Sequence, residues 1–91
     1  MLIRYWFEFE FKHYSELPYG LAWGCGITAY NYEDALFLLS KEVFKNTPLA
    51  PIKKVIENVD ISTLEAGHVL PNMVPPNLRG IWYPFGYNVF K

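Results

Sequence analysis

Along its first dozen residues the chain alternates almost without fault, with Ile3, Tyr5, Phe7, Phe9 and Phe11 on one side and Arg4, Trp6, Glu8, Glu10 and Lys12 on the other. A period of two over residues 2–13 predicts a long strand with one buried face. A polar connection over 15–20, with Pro18 and Gly20, leads to a second predicted strand at 21–30, so the pair reads as a hairpin. Gly24 and Gly26 thin that strand. Glycines inside a strand leave room for a bulge or a large ring, and Trp23 with the nearby phenylalanines is expected to fill the space.

Asn31 then starts a helix predicted over 32–45. Its side chain can accept from the unpaired N–H groups of the first turn, and Glu33 and Asp34 place negative charge at the positive end of the helix dipole. At about 100° per residue, Tyr32, Ala35, Leu36, Leu39 and Val43 share the core face. Phe37 and Phe44 fall together on a flank with Lys41, and Leu38 falls on the opposite shoulder. Something should cover that flank, and Phe37→Glu or Phe44→Glu is expected to spare the fold.

A third strand is predicted over 52–61, where Val55, Val59 and Ile61 alternate with Lys54, Asn58 and Asp60, while Lys53 and Ile56 are out of pattern. Asp60 reads as a structural cap for a turn beginning at Ser62 and Thr63, with Glu65 nearby. Three prolines rule out regular structure through most of 68–77. Residues 80–83 form a short fourth strand stopped by Pro84, and an aromatic tail comes after it. The order ββαββ predicts an α+β fold in one domain spanning 1–91: a two-layer sandwich, a mostly antiparallel four-stranded sheet with one main helix on one face. The helical crossover makes the second and third strands parallel and right-handed. The other sheet face, bearing Trp6, Glu8 and Glu10, is left solvated or free for contact.

Composition sharpens this picture. Seven Phe, seven Tyr and three Trp in 91 residues are more rings than one small core requires, and a domain of this size buries only roughly two thirds of its unfolded surface. A formal net charge of -1 removes the long-range attraction that nucleic acid or an anionic membrane exploits. The single Cys25 cannot form an internal disulfide, which fits a cytoplasmic home. Arg4, Glu8, Glu10 and Lys12 interrupt the N-terminal apolar positions, so neither a signal-peptide core nor an apolar run of about 18 residues is expected.

Little in the sequence carries chemistry. Cys25, between two glycines, reads as a buried thiol, and His13 and His68 have no metal-ligand spacing with it, so neither metal nor cofactor is expected. Glu8 and Glu10 read as a solvated strand face, and His68 as a loop-bracing residue. Residues 79–85, RGIWYPF, are superficially similar to the aromatic strand of RNA-recognition motifs. However, Ile81 replaces the first ring, Trp82 takes a small-residue position, Pro84 breaks the strand and the second helix of that fold is missing. Gly24 and Gly26 lack the third glycine or Lys-Ser/Thr of a phosphate loop.

Two segments, GCGITAYNYEDALFLL at 24–39 and VIENVDISTLEAGHVLPNMVPPNLRGIWYP at 55–84, resemble a group of short uncharacterised bacterial proteins over about half of the chain. That resemblance carries no activity and no catalytic residues. In size, charge and absence of chemistry the chain is also similar to the immunity proteins of bacterial toxin systems. The expectation is therefore a protein-interaction module that acts by binding and not as an enzyme, its partner a toxin or a second copy of itself. Contacts are expected at Phe37, Lys41 and Phe44 on the helix flank, or at Trp6, Glu8 and Glu10 on the sheet, where the acids would complement a basic cleft. The alternative is a small-molecule-binding or regulatory domain that homodimerises. Its pocket would lie between the second strand and the Pro-rich loop, lined by Trp23, Trp82 and Tyr83, with His68, Asn72 and Arg79 as polar groups. An enzyme using His68 or Cys25 ranks third, since no nucleophile, base and orienting group can be assembled.

Overall fold

A computed structural model describes residues 1–11, 21–45, 47–84 and 86–87. The connection predicted over 15–20, His13 and most of the aromatic tail lie outside the described residues. The strands are β1 (Ile3–Phe9), β2 (Cys25–Ala29), β3 (Ile52–Glu57) and β4 (Gly80–Tyr83), and helix α1 (Tyr32–Leu38) separates β2 from β3. Their order across the sheet is β3-β1-β2-β4, each neighbouring pair antiparallel. Because β2 and β3 both run against β1, they are parallel to each other, as a helical crossover requires. This is the expected α+β architecture.

The alternation of β1 divides the rings between two faces. Tyr5, Phe7 and Phe9 join Cys25, Ile27, Ala29 and Ile81 in the larger core beneath the helix. Trp6 points the opposite way. The predicted strands shorten where the backbone departs from extended geometry: β2 starts only after Gly24, at φ +132°, and β3 stops at Asn58, at φ +52°. Asp60 then caps a single turn, its Oδ1 accepting from the Ser62 amide at 3.0 Å, and the Thr63 hydroxyl donates to the Asp60 carbonyl. The two out-of-pattern residues of β3 are explained by register. Ile56 opposes Trp6 on the second face, whereas the pairing jumps from Glu8↔Lys54 to Phe9↔Ile52 and leaves Lys53 without a partner across the ladder. This bulge, with Lys53 and Lys54 exposed, guards the outer edge of β3 against pairing with other chains.

Asn31 caps α1 as expected, its side chain accepting from the Asp34 amide at 2.8 Å. The helix continues without a break into a π-type turn, Leu39–Val43, closed by a bond from the Phe44 amide to the Leu39 carbonyl. That wider turn takes in one extra residue, so the positions beyond it are set back by about 100° relative to a regular helix. The rotation corrects the sequence reading. Phe44 leaves the flank it was assigned with Phe37 and is only 2% exposed, its ring meeting Phe9 edge-on at 5.7 Å. Two positions ahead of the wide turn, which its rotation does not affect, also differ from the expectation: Leu38, expected on an outer shoulder, is buried, and Tyr32, expected on the core face, is substantially exposed.

The second sheet face is not open. Residues 59–78, whose helical elements are two single 3-10 turns (Ile61–Thr63 and Leu70–Asn72), lie across it as an irregular third layer. Val59, Val69, Met73 and Val74 pack with Trp6, Trp82 and Tyr83 in a separate small core. Polar tethers hold this cover to the sheet: Thr28 Oγ1 donates to the Pro76 carbonyl at 2.5 Å, the Val74 amide to the Trp82 carbonyl at 2.9 Å, and Arg4 Nε to the Val59 carbonyl at 3.2 Å. Gly24, just before β2, and Gly26 within it make room for rings, but for Trp6 and Trp82 and not for Trp23. A Cβ on Gly24 would lie 2.5 Å from Trp6 Cζ2, and a Cβ on Gly26 would fall on the six-membered ring of Trp82. Trp6 and Trp82 stack with centroids 6.0 Å apart.

Candidate functional site

The start of α1, the end of β2 and the start of β4 together build a polar arrangement centred on Asp34 and Arg79. Pairing of Thr28 with Gly80 brings the residue before β4, Arg79, next to the residue after β2, Tyr30. Asp34, in the first turn of α1, accepts from the Tyr30 amide at 3.0 Å, which completes a local cap, and receives Arg79 through two parallel bonds of 2.8 and 2.5 Å. The two side chains are 21% (Arg79) and 16% (Asp34) exposed. The Arg79 hydrogen bonds hold the Asp34 carboxyl below the usual carboxylate range, and the same contact raises Arg79. The pair therefore contributes stability above the usual carboxylate range, and this is lost as pH falls through the lowered folded-state pKa of Asp34. Asp34→Asn is expected to cost about 1.5–3 kcal/mol at neutral pH and to flatten the acid limb of thermal stability against pH. An unchanged acid limb would contradict this assignment.

Around that ion pair lie the exposed large apolar side chains of this end of the molecule. Tyr30 is 61% exposed with the Arg79 guanidinium 5.5 Å from its ring centroid; Leu78 is 53% and Phe37 54% exposed. Phe37 stands one helical turn beyond Asp34, and the Lys41 ammonium sits 5.5 Å from its ring centroid. Tyr32 packs one side against Tyr5 and Phe7. A bidentate Arg–Asp pair ringed by Tyr, Phe and Leu has the composition of an interface centre.

A second cluster lies at the other end of β2. The exposed rings of Trp23 and His68 stack at 4.5 Å, nearly parallel. Glu65 shapes the turn beneath them: its carboxylate accepts from the Gly67 and His68 amides and faces His68 Nδ1 at 3.3 Å, while Asn72 Nδ2 donates to the His68 carbonyl at 2.7 Å. These hydrogen bonds hold the Glu65 carboxyl below its usual range. His68 is thus a braced loop residue with an oriented ring. Cys25 is fully buried and burial pushes its thiol up, so it offers no thiolate to pair with that imidazole. Among the described residues no group of three or more His, Cys, Asp or Glu could hold a metal ion.

The six expected contact residues separate. Phe37 and Lys41 stay together on the surface. Phe44 and Trp6 are buried and unavailable to a partner; Glu8 is half-buried and accepts from Trp6 Nε1 at 3.1 Å; Glu10 is exposed, with its amide bonded to the Pro51 carbonyl. Of the pocket residues, Trp23, His68 and Asn72 come together. Arg79 is instead bound to Asp34, while Trp82 and Tyr83 belong to the small core. Sequence reasoning missed Tyr30, Asp34 and Leu78 as surface-site residues. The available signal was Leu78 itself, an apolar residue set between Asn77 and Arg79 in a loop.

Among the described residues no helix is long and apolar enough to cross a membrane. No family model, curated protein or solved structure matches the chain.

Proposed function

We propose that this protein is an interaction module that acts by binding another protein and not by catalysis, and that it docks through the surface around Asp34 and Arg79. The observation carrying this reading is the exposure of Tyr30, Phe37 and Leu78 beside a half-buried, bidentate ion pair, while both cores are already closed by other residues. Large rings and arginine are the side chains that most often anchor interfaces. The similarity of the chain in size and charge to immunity proteins makes a bacterial toxin the class of partner to test first, and a cytoplasmic site of action accords with the lone, buried cysteine. The surface mixes Glu33, Asp34, Lys41 and Arg79, so a partner would meet both signs of charge.

Self-association is the rival occupant of the same surface. Light scattering of the purified chain across concentration separates the two. A mass of one chain, 10.6 kDa, at every concentration is expected if the surface is reserved for a different protein. A mass of two chains that returns to one in Leu78→Asp would make the occupant a second copy.

A further inference from the structure

We propose that the protein docked at the Asp34–Arg79 surface presents an amphipathic helix to it, whose central apolar side chain is flanked, four residues to either side, by one acid and one base. The inference rests on the reading of that surface as an interface and names the element that fills it. Glu33, Phe37 and Lys41 are spaced by four along α1 and the wide turn that continues it, and all three are exposed. Residues four apart share a helix face, and the Lys41 ammonium, 5.5 Å from the Phe37 ring centroid, shows that the alignment survives the wide turn. The face is a ridge with a negative end, an apolar centre and a positive end, its two charged positions about 12 Å apart along the axis. Among the described residues the Glu33 side chain has no hydrogen-bond or ion-pair partner, and the Lys41 ammonium has only the Phe37 ring.

The charges select the occupant. A partner surface of one sign is attracted at one end of the ridge and repelled at the other, whereas an element carrying both signs at the matching spacing is attracted at both ends. Backbone chemistry selects its form. The ridge is built on a helix that bonds its own main chain, and the edge strand β4 already accepts a bond at the Trp82 carbonyl from the Val74 amide. An extended segment laid on the ridge would bury N–H and C=O groups without partners. A helix arrives with its main chain paired and repeats its side chains at the same four-residue spacing. Tyr30 and Leu78, exposed beside the ion pair, extend the apolar contact available to it.

The test uses three alanine-based helical peptides, each held by a lactam bridge and carrying a central leucine. One has Glu four residues before the leucine and Lys four after, one has Glu at both places and one has Lys at both. Titrated into 15N-labelled protein, the mixed peptide is expected to shift the amides of residues 33–41 saturably and to bind about fivefold tighter than either single-sign peptide. In Glu33→Lys the order is expected to change, with the two-glutamate peptide binding tightest. Equal binding of the three peptides to the unaltered protein, or an order that Glu33→Lys leaves unchanged, would overturn the helix. If none binds while a protein captured from lysate is still lost from the Phe37→Glu/Leu78→Asp variant, the helix falls and the docking surface stands; if capture fails as well, both fall. A mass of two chains that returns to one in Phe37→Glu would give the ridge to a second copy, whose own Glu33, Phe37 and Lys41 match it, and would overturn the assignment to a different protein.

Discussion

Gly26→Val is expected to lower stability by about 3 kcal/mol or more, enough to drop Tm by about 12 °C or more in a domain of this size. The Cβ of any residue at this position would fall on the Trp82 ring. That ring cannot retreat into solvent, since it is fully buried and stacked with Trp6. Gly24→Val should be at least as damaging. There the backbone holds φ +132°, and the new Cβ would meet the Phe7 carbonyl at 2.6 Å as well as the Trp6 ring, so backbone as well as side chain must give way. Against a total stability of roughly 5–15 kcal/mol, either change removes a large share. Pairing Gly26→Ala with Trp82→Leu should cost less than the sum of the two alone, because the smaller side chain vacates the space the methyl needs. Thermal unfolding followed by circular dichroism measures all of these variants, and a Gly26→Val protein with unchanged Tm would refute this packing.

Phe44→Glu and Phe37→Glu are expected to behave oppositely, although both residues lie at or near the same helix and seven positions apart. Truncating a buried phenylalanine costs about 3–5 kcal/mol, and a glutamate adds the burden of a carboxylate in an apolar site beside Phe9. Phe44→Glu should leave the chain largely unfolded at ordinary temperature. Phe37→Glu should change stability by no more than about 0.5 kcal/mol. It loses the contact of Lys41 with the ring but places an acid four residues before that lysine, the favourable orientation on a helix. If the two variants melt alike, the π-type turn does not rotate Phe44 inward.

The fold was legible where a single periodicity governs. Strict alternation in β1 separates Phe7 from Trp6, and Asn31 followed by Glu33 and Asp34 marks the start of the helix. The features that lay beyond reach depend on non-local register or on geometry without a residue code. The wide turn at Leu39–Val43 has no sequence signature, so Phe44 was placed by regular helical spacing and misassigned. Glycine positions announced that rings come close, yet which rings depends on Gly26 opposing Trp6 on one side and Tyr83 on the other. The covered second face was hidden because Val59 and Ile61 read as the end of the third strand while Leu64, Val69, Met73 and Val74 recur without a period, although four apolar residues in a stretch otherwise reading as loop were a usable sign. The grouping of Trp23, His68 and Asn72 followed from placing the Pro-rich loop against β2. The Asp34–Arg79 pair, separated by 45 positions, required knowing that β4 lies beside β2.

The central claim, that the surface around Asp34 and Arg79 holds another protein, is tested most directly by capture from lysate of the source organism. The tagged chain and its Phe37→Glu/Leu78→Asp variant would be compared at equal folded concentration, with the retained proteins identified and quantified by mass spectrometry. The account predicts one protein retained in stoichiometric amount by the unaltered chain and lost from the variant. Retention of that same protein by both, or of none by either, would contradict it.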